Sequence, residues 1–167
     1  MYLTILTIGH VIISLAGIAS GFFVLLGLLN GKRSDSWTPF FLVTTVVTSA
    51  TGFLFPVHQF MPSHAVGIIS LVVLAVAIYA RSSRQLKGVW GKIYVVGAVL
   101  AQYLNVFVLI VQSFLKVPAL KALAPTQTES PFKFTQLAIL VIFIVLGIVA
   151  TVRFRDGSGN AGLQPGC

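Results

Sequence analysis

The chain's three histidines, His10, His58 and His64, are its strongest candidates for binding chemistry. Imidazole binds transition metals and haem iron, and it gains or loses a proton near neutral pH. His58 and His64 flank Met61 in the segment PVHQFMPSH, so a thioether lies between two imidazoles. That combination suits copper, whereas imidazoles with a carboxylate suit zinc or iron. The predicted metal ligands are therefore His10, His58, Met61 and His64.

Two other ligand classes would use the same residues. A b-type haem would take two of the histidines from different helices, and a quinone headgroup would form hydrogen bonds with His10 or His64 and with Gln112. The simpler alternative is that the rings only occupy the hydrated boundary of a membrane. The predicted cofactor site comprises His10, His58, His64 and Gln112, and haem b, copper, zinc, iron and quinone all remain open.

The elements that position these residues are apolar helices. The chain has 167 residues, of which 57% are hydrophobic and 8% are charged, a composition outside the range of soluble proteins. Five apolar runs approach the roughly 20 residues that cross a hydrocarbon core. They cover residues 2–29, 37–56, 65–80, 93–115 and 134–152. We expect an all-α bundle of five transmembrane helices in one domain, residues 1–155, followed by a flexible polar tail, residues 156–167.

The basic residues predict the orientation of the bundle, because Lys and Arg near helix ends are retained in the cytoplasm. Eight of the 11 basic residues fall on one face, namely Lys32, Arg33, Arg81, Arg84, Lys87, Lys92, Arg153 and Arg155. The N-terminus is then outside and the C-terminus cytoplasmic. Counting about 20 residues from the cytoplasmic helix ends brings all three histidines to the outer boundary of the hydrocarbon. The net charge of +8 follows from this topology and gives no indication of nucleic-acid binding.

A polar stripe runs along the fourth apolar run through Gln102, Asn105, Gln112 and Lys116, at spacings that share one helical face. Polar side chains in lipid face the bundle interior or a cavity. Threonines on the second run are candidate partners. The stripe therefore predicts either contacts that lock helices together or the lining of a ligand pocket or solute path.

The first run also carries Gly17 and Gly21, a spacing that lets helices approach closely in lipid. Packing within the chain and self-association are both compatible with it.

The predicted outer loop, residues 117–131, contains three prolines and leaves room for a short helix within residues 119–124. We expect it to fold back over the helix ends. Glu129 is the only acidic residue on this face, and it would form an exposed ion pair with Lys116, Lys121 or Lys133 or contribute a carboxylate near the histidines.

Classical enzyme machinery is absent from the sequence, which has no Walker loop, Rossmann fingerprint, HExxH, CxxC or nucleophile elbow. The acidic residues Asp35, Glu129 and Asp156 are divided between the two predicted faces, so no carboxylate pair is available inside the membrane. We therefore do not expect a hydrolase. We expect contact with the lipid bilayer, and either a homo-oligomer or a place in a larger membrane complex.

Three segments resemble a family of small bacterial integral-membrane proteins: TGFLFP at residues 51–56, LNVFVLIVQSFLKVPAL at 104–120 and LAPTQTESPF at 123–132. The similarity would cover the chain up to Arg155. It implies the bacterial inner membrane and brings no activity, substrate or cofactor with it. The function that we expect is a binding or electron-transfer component with an outer-face site. A transporter or channel subunit and an accessory subunit are the alternatives.

Overall fold

The computed structural model describes residues 1–55 and 62–154, and these fold into six helices without a strand. They are α1 (Tyr2–Leu29), α2 (Trp37–Gly52), α3 (Pro62–Ser82), α4 (Val89–Lys116), α5 (Pro118–Leu123) and α6 (Ser130–Arg153). The all-α prediction is confirmed. Within the described part of the chain, α1, α3, α4 and α6 are long and apolar enough to cross a membrane. The predicted tail and the residues His58 and Met61 lie outside the described residues.

Helix α2 is shorter than the predicted run. It has 16 residues and is about 24 Å long, against a hydrocarbon core of about 30 Å. The amides of Phe53 and Leu54 turn back to the carbonyls of Ala50 and Thr51, which tightens the chain out of the α-helix. Pro56 follows, and a proline disfavours the α conformation of the residue before it.

Glycine and proline punctuate the other helix ends. Gly31, after α1, and Gly88, before α4, have positive φ angles of 67° and 56°, a conformation that side chains disfavour. Pro118 and Pro131 lie in the first turns of α5 and α6, where a missing N–H costs nothing. The short helix expected within residues 119–124 is confirmed as α5.

The turn between α3 and α4 is tight and partly buried. Gln85 and Leu86 both have positive φ angles, 51° and 60°. The Leu86 side chain is 1% exposed, and its amide donates to the carbonyl of Ala80. Burial of Leu86 therefore fixes a backbone conformation that non-glycine residues rarely adopt.

Helices α1 to α4 pack in a ring, each against the next, with α4 closing on α1, and α6 lies against α4 and α1. Gly17 and Gly21 face other helices of the same chain: a methyl group at Gly17 would lie 3.2 Å from Thr44 Oγ1, and one at Gly21 would meet Gln102. Packing within the chain is thus confirmed for both glycines.

The antiparallel pair α1 and α2 keeps a constant register. Gly17 packs against Thr44, and His10 bonds to Thr51. The step from Gly17 back to His10 on α1 has the same number of residues as the step from Thr44 forward to Thr51 on α2. In this register Gly52, the last residue of α2, lies opposite Gly9. The seven residues Tyr2 to Ile8 therefore extend past α2 by about 10 Å.

Helix α4 extends past α3 at the same end of the ring. Gly97 on α4 packs between Val73 and Ala77 on α3. The two helices are antiparallel, so we count from this contact toward the end of α4 and toward the start of α3. At least residues 113–116 of α4 then lie beyond the first turn of α3. The end of α2 and the start of α3 therefore lie deeper in the bundle than the neighbouring ends of α1 and α4. We call this the histidine end, after His10 and His64, and we call the opposite end of the ring the basic end.

Candidate ligand site at the histidine end

His10 is held by the last turn of α2. Its Nδ1 lies 2.8 Å from Thr51 Oγ1, and the Thr51 hydroxyl is itself 2.8 Å from the carbonyl of Val47. Because the hydroxyl hydrogen has this carbonyl to bond to, its oxygen is free to accept the Nδ1–H of the imidazole. The half-buried ring also meets Phe55 edge-on, with 5.3 Å between centroids. For the neutral ring, this arrangement favours the Nδ1–H tautomer, in which Nε2 carries the lone pair.

His64 approaches the same end of α2 from the first turns of α3. Its half-buried ring lies 5.6 Å from the ring of Phe53, centroid to centroid. Phe53 in turn covers Gly67, where a methyl group would lie 3.1 Å from Phe53 Cζ. The structure therefore places His10 and His64 around Thr51, Phe53 and Phe55, as their predicted common depth requires.

Within residues 1–55 and 62–154, no group of three or more His, Cys, Asp or Glu side chains is placed to hold an ion. The predicted metal set includes His58 and Met61, which lie outside the described residues. For a b-type haem, the described residues supply His10 and His64, each with a phenylalanine against its ring.

The predicted polar stripe divides into two halves. Gln102 is 1% exposed and donates from Nε2 to the carbonyl of Ile18 on α1, and Asn105 donates from Nδ2 to Thr45 Oγ1 on α2. Both amides thereby join helices. Gln112 and Lys116 are exposed, because α2 ends and α3 begins near the depth of Gln112 and, among the described residues, no helix covers this face beyond it.

The Gln102 amide oxygen faces the backbone of α1. A methyl group at Gly21 would coincide with Gln102 Oε1 and would lie 2.8 Å from Phe41 Cε2. Oε1 has no hydrogen-bond donor within the described residues, so its neighbour is the Cα–H of Gly21, a weak donor. Gln102 therefore requires a glycine at this position.

Glu129 does not form the expected ion pair. No lysine nitrogen in the described chain lies within 4 Å of its carboxylate; instead, Thr126 donates to Oε1 through its hydroxyl at 2.9 Å and Thr128 donates to Oε2 through its amide at 3.0 Å. Desolvation acts to raise the pKa of Glu129, but the hydrogen bonds from Thr126, Thr128 and its own amide outweigh it, and the pKa is lowered. The ion-pair prediction was wrong because neighbouring loop donors are closer.

The loop before α6 folds back onto α4, as predicted. Gln127, at a φ of 59°, donates from Nε2 to the carbonyl of Val111 at 2.9 Å. Gln136 on α6 donates to the carbonyl of Phe107 at 3.3 Å. Two glutamines therefore bond to carbonyls one turn apart on α4, and no pattern in the sequence predicts these two bonds.

Two further bonds from α2 were not predicted either. Thr38 Oγ1 lies 3.1 Å from the Tyr94 hydroxyl on α4, and Ser49 donates to Ser70 on α3. Tyr94 is a polar residue within an apolar run, and this was the available signal. Together with the bonds of Thr45 and Thr51, they connect α2 to three neighbouring helices.

No family model, curated protein or solved structure matches this chain.

Proposed function

We propose that this protein crosses the bacterial inner membrane five times and binds an amphipathic ligand with a quinone-type headgroup at the histidine end. The observation that supports the proposal best is the bond between His10 and Thr51, 2.8 Å from Nδ1 to Oγ1. It fixes one side of the imidazole to the protein and leaves Nε2 for a ligand. Fixing the tautomer through a second partner is how proteins orient functional histidines.

The chemistry of His10 suits a quinol or quinone headgroup. In the tautomer favoured by Thr51, Nε2 accepts a hydrogen bond from a hydroxyl, and after protonation it donates one to a carbonyl. Phe55 offers apolar aromatic surface beside His10, as Phe53 does beside His64, and ligand sites in proteins are mostly apolar with a few placed polar groups. Gln112, exposed near this depth, is a second candidate for hydrogen bonding to the headgroup.

The membrane topology is part of the proposal. Every residue of α2 has a part of α1 beside it, in the register that pairs Thr44 with Gly17 and Thr51 with His10. If this part of α1 lies within the membrane, α2 lies there too. We therefore count α2 as the fifth crossing despite its length of about 24 Å. The basic end would face the cytoplasm because Lys32, Arg81, Lys87 and Arg153 lie there, and the histidine end would face outside.

Binding of a short-chain quinol to the protein in nanodiscs, measured by equilibrium dialysis, tests the proposal. We expect His10→Phe, which keeps the aromatic ring without its nitrogens, to weaken binding by about ten-fold or more, because a hydrogen bond within a desolvated site is lost. Thr51→Val should weaken it by a smaller factor, and Thr51→Ser, which keeps the hydroxyl, should bind like the parent. Thr7→Ala, on an exposed turn of the same helix, is the control.

Two outcomes would overturn the proposal. One is equal quinol affinity of the parent and the His10→Phe variant. The other is stoichiometric metal or a Soret band in the native protein, because either would assign the histidines to metal or haem instead. A colourless, metal-free sample with His10-dependent quinol binding is the expected result.

A further inference from the structure

The turn between α3 and α4 carries positive charge that the described protein does not neutralise. The only carboxylate described at the basic end is Asp35, which lies 2.7 Å from Arg81 and 3.7 Å from Arg33. Within the described ranges, the cations of Arg84, Lys87 and Lys92 have no carboxylate within 4 Å. Their counter-charge must come from outside this part of the chain.

Arg84 is held in place by aromatic rings. Its guanidinium carbon lies 4.9 Å from the centroid of Trp90 and 5.8 Å from that of Tyr79, and the two rings meet edge to face at 5.4 Å. Cation–π contact uses the face of the guanidinium and leaves its N–H groups directed sideways. Among the described residues, no acceptor takes these hydrogens. Arg84 is thus an oriented donor with its bidentate edge available.

The backbone makes this arrangement rigid. Leu86 is buried beneath the turn, its amide bonds to Ala80 and the amide of Lys87 bonds to the carbonyl of Arg84. Arg84 and Lys87 therefore stay on the exposed side of the turn. A site whose side chains are already ordered loses less entropy when it binds a ligand.

The position of the turn indicates the source of the anion. Tyr79 and Trp90 lie at the ends of two apolar helices, where such rings sit at the level of lipid headgroups. Lipid phosphodiesters lie at this level, where Arg84 presents its guanidinium and the exposed Lys87 and Lys92 follow it in the sequence. Guanidinium binds phosphate oxygens in a bidentate manner.

We propose that the α3–α4 turn binds the headgroup of an anionic phospholipid through Arg84 and Lys87. The rings of Tyr79 and Trp90 hold the guanidinium at the lipid boundary. This site is at the opposite end of the bundle from the histidines and does not depend on the quinone proposal.

Trp90 reports directly on occupancy of this site. In a Trp37→Phe protein, which keeps an aromatic partner for Phe23, Trp90 is the only tryptophan. We expect brominated phosphatidylglycerol at one tenth of the lipid in phosphatidylcholine nanodiscs to quench its fluorescence several-fold more than brominated phosphatidylcholine at the same level. Equal quenching by the two lipids would overturn the proposal. Free inorganic phosphate that abolishes the difference would show that the site takes a soluble anion instead of a lipid.

Charge variants provide the second arm. Native mass spectrometry should show that Arg84→Gln with Lys87→Gln lowers the preference for phosphatidylglycerol over phosphatidylcholine by roughly five-fold for each cation removed. Arg84→Lys should lower it less. The matched control, Lys121→Gln with Lys133→Gln, removes the same charge at the histidine end and should keep the preference. An equal loss in the control would mean that net charge, and not this site, selects the lipid.

Discussion

The contact between Gly21 and Gln102 depends on Gly21 having a hydrogen atom where other residues have a side chain. The amide oxygen occupies the place where any other residue would carry its Cβ. From that position, the Gln102 amide nitrogen donates to the carbonyl of Ile18 at 2.9 Å. The polar bond between α4 and α1 therefore depends on the absence of a side chain on α1.

We predict that Gly21→Ala destabilises the protein by about 2–4 kcal/mol, because the methyl group overpacks the interface and displaces a buried amide. Gly9→Ala is the control, since a methyl group there meets nothing within 4 Å, and it should be neutral or stabilising by up to about 1 kcal/mol. Unfolding in mixed micelles measures both. Similar stabilities for the two variants would contradict the prediction.

At the scale of elements, the loop before α6 depends on the ionised form of Glu129. Because its pKa is lowered in the folded protein, its hydrogen bonds stabilise the loop at pH values above the ordinary carboxyl pKa. This contribution is lost as the pH falls through the lowered value. Protection of the amides of Thr126 and Thr128 against hydrogen exchange should therefore decrease below about pH 4.5.

Glu129→Gln is the matched variant for this loop, because it keeps the size of the side chain without the charge. After correction for the intrinsic exchange rate, it should show weaker protection at neutral pH and no additional loss on acidification. Lys133→Gln, which changes a charge one turn into α6, should keep the pH dependence. Protection in the parent that does not change with pH would contradict the role of the carboxylate.

The helices were predictable to different degrees, for physical reasons. The bounds of α1 agree with the predicted apolar run, because the polar residues and Gly31 that follow Leu29 end both the run and the helix. Helices α3, α4 and α6 extend beyond their runs, because a helix continues into the polar boundary where hydropathy falls. Helix α2 ends four residues before its apolar run does, because of Pro56. As a result, the end of α2 lies deeper in the bundle than the neighbouring ends of α1 and α4.

The contacts at the site were less predictable than the helices. Gln102 and Asn105 were expected to face inward and do so. Gln112 shares their face, but the spacing does not show that no helix covers it. That depends on where the neighbouring helices end. Side-chain choices such as Glu129 with Thr126 depend on loop geometry that a sequence does not contain.

At the scale of the whole molecule, the proposed direction of the crossings can be tested by labelling. In a Cys167→Ser background the chain has no cysteine, so a single new thiol reports its side. We expect an impermeant maleimide to label Lys121→Cys in intact spheroplasts and Lys87→Cys only after lysis, because an odd number of crossings separates the α5 segment from the α3–α4 turn. Both positions are exposed. Labelling of both from the outside would refute this topology.

The bonds of α2 also constrain the order of events during synthesis. Thr38 and Thr45 find their partners, Tyr94 and Asn105, on α4, which leaves the ribosome only after α2 and α3. Until then α2 is a short helix rich in hydroxyl groups, with α1 beside it. A chain arrested before α4 would therefore leave Thr38 and Thr45 without the partners that they have in the finished protein.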